Sequence, residues 1–489
     1  MSTSTTVPQY TLPTSALLIG GEWSSNASGG EHLHVNPATG KTQAAVPLAG
    51  VGEVQRAVAA ARMAFPAWSR MPVNRRRDIM WRFSELIERN AEELAVIGAL
   101  ENGKPLSQGG KLSMPAEWAR YYAGWIDKLP GEVVPAVLRP GLDYVLPEPY
   151  GVIAVVLPWN GPFTIAAMSA VPALAAGNTV VIKPPELAPF TMVRFGEMAL
   201  EAGFPPGVVN IITGGPEAGD ALVRHPDVDK ITFTGGVTTA KSILHAAADS
   251  LTPSTMELGG KSANLVFADA DLDSAVNIAI NLGVVVNSGQ GCALPTRLLV
   301  QDSIYDEMVD RLIAVAQKAT LGDPLLPDTV MGPVISEASL ARIEGIIDRT
   351  RSSRGGSLVE GGARAGGSLS NGFFLQPTIF VDVDPDSELA RTEVFGPVLA
   401  VTRFRDEAHA VELANRSLFG LGAFVSTRDL AVAHRVAADL NAGYVSVNGF
   451  AALTPAAPFG GVKNSGFGRE GGRAGIEEFL RQKNVFIAL

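Results

Sequence analysis

Tyr150-Gly151-Val152-Ile153-Ala154-Val155-Val156-Leu157-Pro158-Trp159-Asn160-Gly161-Pro162 opens the part of the chain from which the fold can be read. Gly151 to Leu157 is a short apolar run rich in β-branched residues, closed by a proline. Ile165 to Ala176 then has the length and composition of a helix, and Thr179 to Ile182 is a second strand. Phe190 to Ala202 reads as a helix, and Val208 to Thr213 and Lys230 to Phe233 as strands. Apolar strands alternating with helices predict a parallel sheet covered on both faces, an α/β fold. Ligands of such sheets bind beyond the C-terminal ends of the strands. The loops after Leu157, Ile182, Thr213 and Phe233 are therefore the places to look.

Toward the N-terminus, residues 1 to 16 read as an unstructured arm, and Leu17 to Trp23 as a strand ending in a glycine turn. Val51 to Phe65 has helical spacing, with Val54, Val58, Ala61 and Phe65 on one face. After Pro72, apolar residues from Ile79 to Ile97 recur at steps of three and four, predicting one long helix that stops at Asn102-Gly103. Toward the C-terminus a second α/β region begins after Gly259. Its strands are Ala263 to Phe267, Arg297 to Val300 and Ala400 to Arg403. Its helices are Asp271 to Val286, Asp302 to Ala319, Ala408 to Asn415 and Ala431 to Leu440, and Gly355 to Gly367 reads as a loop or turn. Gly131 to Glu148 looks like an extended hairpin. Together with a strand from Asn484 to Leu489 it either pairs with another subunit's sheet or forms a self-contained surface hairpin.

A chain of 489 residues divides into two or three domains. Its single cysteine excludes internal disulfides and multi-cysteine zinc sites. Six scattered histidines, none in an H-x-x-x-H pattern, argue against a metal. A net charge of −10, with no basic run beyond Arg75-Arg76-Arg77, disfavours nucleic acid. The Ser/Thr-rich start from Met1 to Thr14 has no apolar run and few basic residues, unlike a secretory signal or a transit peptide. No window of about 18 residues is continuously apolar, so no membrane span is expected. These features together point to a cytoplasmic protein.

Several residues at strand ends have chemistry to offer. Cys292 lies in Ser288-Gly289-Gln290-Gly291-Cys292-Ala293, flanked by small residues that leave its sulfur open to a substrate carbon. A nucleophilic thiolate and a small buried hydrophobe are both open to it. Asn160 can donate to a developing oxyanion or merely cap the following helix. Lys183 and Glu186 frame two prolines after a strand and suit ribose hydroxyls, or form a surface ion pair. Phe233-Thr234-Gly235-Gly236 opens a helix whose backbone N–H groups can face a pyrophosphate, although the G-x-G-x-x-G fingerprint is absent. Glu257, before Leu258-Gly259-Gly260-Lys261-Ser262, can activate a water or serve structure alone. Glu393 and Phe395 pair a carboxylate with an aromatic ring, fit to hold a ribose and a flat heterocycle, or are a surface acid beside a core ring.

In order and spacing these motifs resemble the aldehyde dehydrogenase superfamily, from about Ile19 onward. The resemblance runs through Pro-Trp-Asn at 158–160, Lys183 with Glu186, Phe-Thr-Gly at 233–235 and Glu-Leu-Gly-Gly-Lys at 257–261. It continues through Gly-Gln-x-Cys at 289–292, Glu-x-Phe-Gly-Pro at 393–397 and Pro-Phe-Gly-Gly-x-Lys-x-Ser-Gly-x-Gly-Arg-Glu at 458–470. It implies two parallel-sheet α/β domains plus a small β oligomerisation domain. The cofactor-binding domain would be 1–126 with 149–258, the catalytic domain 259–458, and the oligomerisation hairpin and tail 127–148 and 470–489. The homo-oligomer would be a dimer or tetramer.

The implied reaction is NAD-dependent oxidation of a small-molecule aldehyde to an acid, with NADP possible. Cys292 would attack, Asn160 and the Cys292 backbone N–H would hold the oxyanion, and Glu257 would activate the hydrolytic water on a thioester. Lys183 and Glu186 would hold the adenosine ribose and Glu393 the nicotinamide ribose. Trp159, Gly215, Gly219, Phe233, Thr234, Gly235, Gly236, Leu258 and Phe395 would line the cofactor. Gly161, Ile165, Met168, Gly291, Ala293, Leu453 and Phe459 would form the substrate pocket.

The sequence departs from the family pattern after Phe-Thr, where a Ser becomes Gly236 and a second Gly becomes Ala240. Cofactor grip is expected to change without being lost. Glu186 should repel a 2′-phosphate, which favours NAD. Gly161 stands where many relatives carry a bulky aromatic, so the pocket reads as roomy and free of cations. That favours an uncharged, medium-sized aliphatic or aromatic aldehyde over an acidic semialdehyde. A CoA-acylating enzyme and a non-catalytic relative are the alternatives. The first generally lacks the residue corresponding to Glu257 and the second would have lost Cys292 or Asn160, and all three are present.

Overall fold

The computed structural model describes residues 11–108, 113–450 and 453–489. The expected arm therefore lies outside the described residues as far as residue 10. The first sheet has eight strands, in the order Glu22–Ser24, Leu17–Ile19, Val209–Ile211, Thr179–Lys183, Val152–Val156, Lys230–Gly235, Ser254–Leu258 and Gly466–Phe467. The five strands from Val209–Ile211 to Ser254–Leu258 are mutually parallel, and the outer pairings are antiparallel. Every side chain of Val152–Val156 and Thr179–Lys183 is buried, as apolar strands between two helical layers should be. Successive residues serve opposite faces. Ile153 and Val155 join a core with Trp68, Phe83 and Phe195, while Val152 and Ala154 join one with Val54 and Val58.

The second sheet has seven strands, in the order Ser357–Glu360, Thr378–Val381, Val398–Phe404, Arg297–Gln301, Ala263–Val266, Gly422–Ser426 and Tyr444–Val447. All its pairings are parallel except that of Ser357–Glu360 with Thr378–Val381. A third, antiparallel sheet joins Leu480–Ala488, Gly141–Pro149 and Glu132–Val134. The expected α/β architecture is the one observed. Among the described residues, no helix is long and apolar enough to cross a membrane.

Local readings need correction in four places. The single helix expected after Pro72 is two, Val73–Arg89 and Ala91–Asn102. Asn90 leaves helical geometry between them, and its side-chain amide donates back to Leu86 O at 2.7 Å. The apolar spacing continues across the break because both helices face the same core. The helix expected over Asp271 to Val286 is α-helical only over Leu272–Asn277, and Ile278–Val285 is a π-helix. Such wide turns recur at functional sites. Gly355 to Gly367 is not all loop, since Ser357–Glu360 is a strand with a bulge. The C-terminal strand starts at Leu480 and pairs along its whole length with the chain's own Gly141–Pro149, making the hairpin part of a three-stranded sheet. The hairpin Glu31–Asn36 with Lys41–Pro47 and the helices Ser113–Ala123 and Glu337–Ser352 had no counterpart in the sequence reading.

Candidate active site

Three loops at the C-terminal edge of the first sheet meet the Cys292 loop of the second sheet around a cavity of about 220 Å³. Pro158, Trp159, Asn160 and Ile165 form one wall, and Thr234 to Gly236 another. Glu257 to Gly259, Cys292, Glu393 and Phe395 complete it. The parallel register sets Glu257 beside Thr234, which brings the carboxylate to the sheet edge where a ligand would lie.

Glu257 is 4% exposed, and neither carboxylate oxygen has a hydrogen-bond partner among the described residues. A Cβ on Gly460 would fall 2.6 Å from Glu257 Oε1, so only glycine fits there. Burial, with Glu470 nearby, pushes the Glu257 carboxyl well above the usual carboxylate range. Glu470 is itself raised to about 8 by burial. Burial first, then the carboxylates of Glu393, Glu257 and Glu470, pushes the Cys292 thiol up to about 12. The cysteine is therefore a thiol in the resting site.

The Cys292 loop has an unusual backbone. Asn287 and Ser288 both adopt left-handed conformations, φ 48° and φ 52°. Such residues cost on the order of 1–3 kcal/mol each and persist only where their surroundings fix them. Gln108 supplies part of that fixing. Its Oε1 accepts the Asn287 N–H at 2.8 Å, while its Nε2 donates to Val285 O at 3.0 Å. The Asn287 side chain donates to Gln290 O at 2.8 Å, and Asn160 Nδ2 donates to the same carbonyl at 3.2 Å. Gly289, φ 70°, sits so close to Gly396 O that a Cβ would approach it to 2.1 Å. Gln108→Ala should lower kcat about tenfold, with the KM for the cofactor nearly unchanged, because it loosens the cysteine loop while Gln108 borders neither the cavity at Cys292 nor the one at Lys183. Steady-state kinetics on both substrates reads this split, and an unchanged kcat would show that the loop is fixed without Gln108.

The remaining expected positions fall into three groups. Lys183, Glu186, Gly215 and Gly219 line a separate cavity of about 440 Å³ with Val156, Thr238 and Ser242. Lys183 is 8% exposed, and burial lowers its ammonium while Glu186 partly offsets this. Glu393 accepts the Gly260 N–H at 2.9 Å, and burial raises it to about 7. The Phe395 and Trp159 rings meet edge to face at 5.3 Å. Phe233 lines neither cavity; it is buried beneath Gly235, whose absent Cβ would lie 2.4 Å from its ring. Met168, Ala293, Leu453 and Phe459 share one apolar cluster with Cys292 and Ile165 without bordering the cavity, and Gly291 abuts Leu294. Gly161 and Ile165 line an adjoining chamber of about 180 Å³ beyond Asn160. That chamber carries Lys104, whose ammonium is lowered by burial, so a cation stands closer to the pocket than the sequence suggested.

The sequence matches the Aldehyde dehydrogenase family over residues 23–485. The chain belongs to the aldehyde dehydrogenase family. Phenylacetaldehyde dehydrogenase of Pseudomonas fluorescens is 42% identical to it, covering 96% of this chain and 95% of that protein. An aldehyde dehydrogenase of Aspergillus niger is 40% identical, covering 97% and 95%. The crystal structure of betaine aldehyde dehydrogenase from Staphylococcus aureus in complex with NAD+ superposes with a TM-score of 0.94 at 36% identity, covering 97% of this chain and 94% of that one. As an aldehyde dehydrogenase the protein is an oxidoreductase acting on aldehydes by way of a catalytic cysteine. Sequence reasoning missed the Gln108–Asn287 clamp and Lys104. Neither sits in a strand-end motif, and the clamp joins residues 179 apart in sequence.

Proposed function

We propose that this aldehyde dehydrogenase oxidises an uncharged, medium-sized aldehyde to its carboxylic acid with NAD, hydrolysing its own thioester. The observation that carries the reading is the unpartnered, buried Glu257 carboxylate, which shares one cavity with Cys292 and Asn160. NAD fits the residues present. Lys183 and Glu186 offer a cation and a carboxylate for vicinal hydroxyls, and a Cβ at Gly215 or Gly236 would project into open space. Glu393 and Phe395 lie across the first cavity, suited to a second ribose and a flat ring. When bound, NAD supplies the hydride acceptor.

The protein's own groups do the rest. The Cys292 thiol loses its proton to solvent, and the thiolate sulfur adds to the aldehyde carbon. Asn160 Nδ2 turns from Gln290 O to donate to the new oxyanion, joined by the Cys292 backbone N–H. Loss of hydride from that carbon leaves an acyl thioester on Cys292. Glu257 then takes a proton from water as the water's oxygen attacks the thioester, and the C–S bond breaks to release the acid.

Glu186 disfavours a 2′-phosphate, so NAD should outperform NADP. The free sheet of Glu132–Val134, Gly141–Pro149 and Leu480–Ala488 exposes Val133, Leu142, Leu146 and Ile487, which supports self-association as a dimer or tetramer. The cytoplasm suits a chain whose only cysteine must stay reduced. An acidic semialdehyde is the second reading, favoured by Lys104 in the adjoining chamber. Comparing kcat/KM for hexanal, benzaldehyde and succinate semialdehyde, with NAD and NADP, tests all of this. The neutral aldehydes with NAD should be preferred at least about tenfold. A preference for succinate semialdehyde transfers the assignment to the second reading, and acyl-CoA in place of free acid would overturn the hydrolytic step.

A further inference from the structure

Behind the Cys292 loop, away from the cavity just described, lies a small polar chamber of about 20 Å³. Lys261, Ser262 and Arg297 meet there beneath the backbone of Gly420 to Gly422. Lys261 is 1% exposed, and its Nζ has no hydrogen-bond partner among the described residues. Arg297 is 7% exposed; its two terminal nitrogens donate to Leu413 O and Ala414 O at 2.7 Å, and its Nε has no partner. Ser262 Oγ is likewise unpartnered. No aspartate or glutamate lines the chamber. Glu393 reaches Lys261 only through space, while Lys463, tied to Asn415 O and Ser417 O, adds a third cation near Arg297.

Buried charges are normally paired, and a buried donor normally has an acceptor. Here two cations and a hydroxyl each leave a group free beside one chamber, and no protein acceptor among the described residues answers them. Burial disfavours both charges, lowering Lys261 to about 7 and Arg297 to about 10. The volume suffices for a single water-sized occupant and excludes phosphate or a carboxylic acid. We propose that the chamber formed by Lys261, Ser262 and Arg297 binds one monatomic anion of halide size. The partly exposed Asn415, Phe419 and Ala442 on its rim give a route in. The site also touches the chemistry from behind. A Cβ at Gly260 would lie 2.9 Å from Cys292 O and 3.5 Å from Ser262 Oγ, and one at Gly422 would lie 3.2 Å from Ser262 Oγ. An occupant therefore braces the backbone that carries the catalytic cysteine.

Thermal unfolding of the full-length protein in chloride, bromide and gluconate at constant ionic strength tests the site, with diffraction from bromide-grown crystals. Both halides should raise Tm saturably by about 2 °C over gluconate. An anomalous bromine peak should appear between Lys261 Nζ, Ser262 Oγ and Arg297 Nε. Lys261→Met should lose the halide dependence. Should that variant fail to fold, the native protein still decides. A chamber without anomalous signal, holding water alone, or a Tm indifferent to halide overturns the proposal.

Discussion

Cys292→Ala is expected to lower aldehyde-dependent NADH formation by about 10⁴-fold or more while leaving NAD affinity within about twofold of native. Cys292 is the chain's only cysteine, and Thr234 is the one hydroxyl residue on the cavity wall among the described residues. A threonine without a dedicated base is a poor substitute nucleophile. The thiol is small and only half-buried, so its loss leaves little void and the fold should stand. NAD affinity should hold because Lys183, Glu186 and Gly219 line a separate cavity. Absorbance at the NADH band and quenching of Trp159 fluorescence measure the two effects. A variant keeping a tenth of native turnover would sink the covalent mechanism.

Glu257→Gln should separate the two halves of the reaction. If the amide can no longer take a proton from water, the thioester accumulates. The expected trace is a burst of about one NADH per site followed by turnover about 10²–10⁴-fold slower than native. In the native protein, the burst rate should rise with pH through the neutral range. Both the thiol and the Glu257 carboxyl are raised by burial, so acid holds both protonated and each gains its charge only as pH climbs. Stopped-flow measurement across pH 6 to 9 reads this. A falling rate, or a Glu257→Gln variant with a native steady state and no burst, assigns the base to another residue; Glu470, buried near Glu257 and with its Oε1 unpartnered among the described residues, is the first to examine.

Much of this was visible in the residues because parallel strands leave a strong local trace. Val152–Val156 and Phe190–Ala202 announce themselves by composition and length alone. Glu257 and Asn160 could be placed because each sits at or just past a strand end, and Cys292 because it is the chain's only cysteine; family spacing then joined them. Features made by distant contacts were hidden. Asn90 breaks a helix without disturbing its apolar period. The π-helix before Cys292 has no signature in a run of Ile, Val and Ala. Gln108, which holds the cysteine loop, stands 184 residues from Cys292 (292 − 108) in a stretch without motif character. The free cationic groups of Lys261 and Arg297 become visible only once their neighbours are known to be carbonyls and not carboxylates.

The strand Gly466–Phe467 completes the edge of the first sheet against Met256 and Glu257, and Leu480–Ala488 completes the third sheet against Gly141–Pro149. On the ribosome, these pairings come last. About 210 residues must be made after Met256 before its outer neighbour exists, and more than 330 separate Gly141 from Ala488. The nascent chain therefore carries one unprotected strand edge while more than 330 residues are made and a second while about 210 are made, at elongation rates that make this tens of seconds. Glu257 acquires its enclosed setting, with Gly460 against its carboxylate, only as the segment carrying Gly460 docks. A newly made molecule becomes reactive only once these two strands have docked, and its demand for chaperones should be set by them.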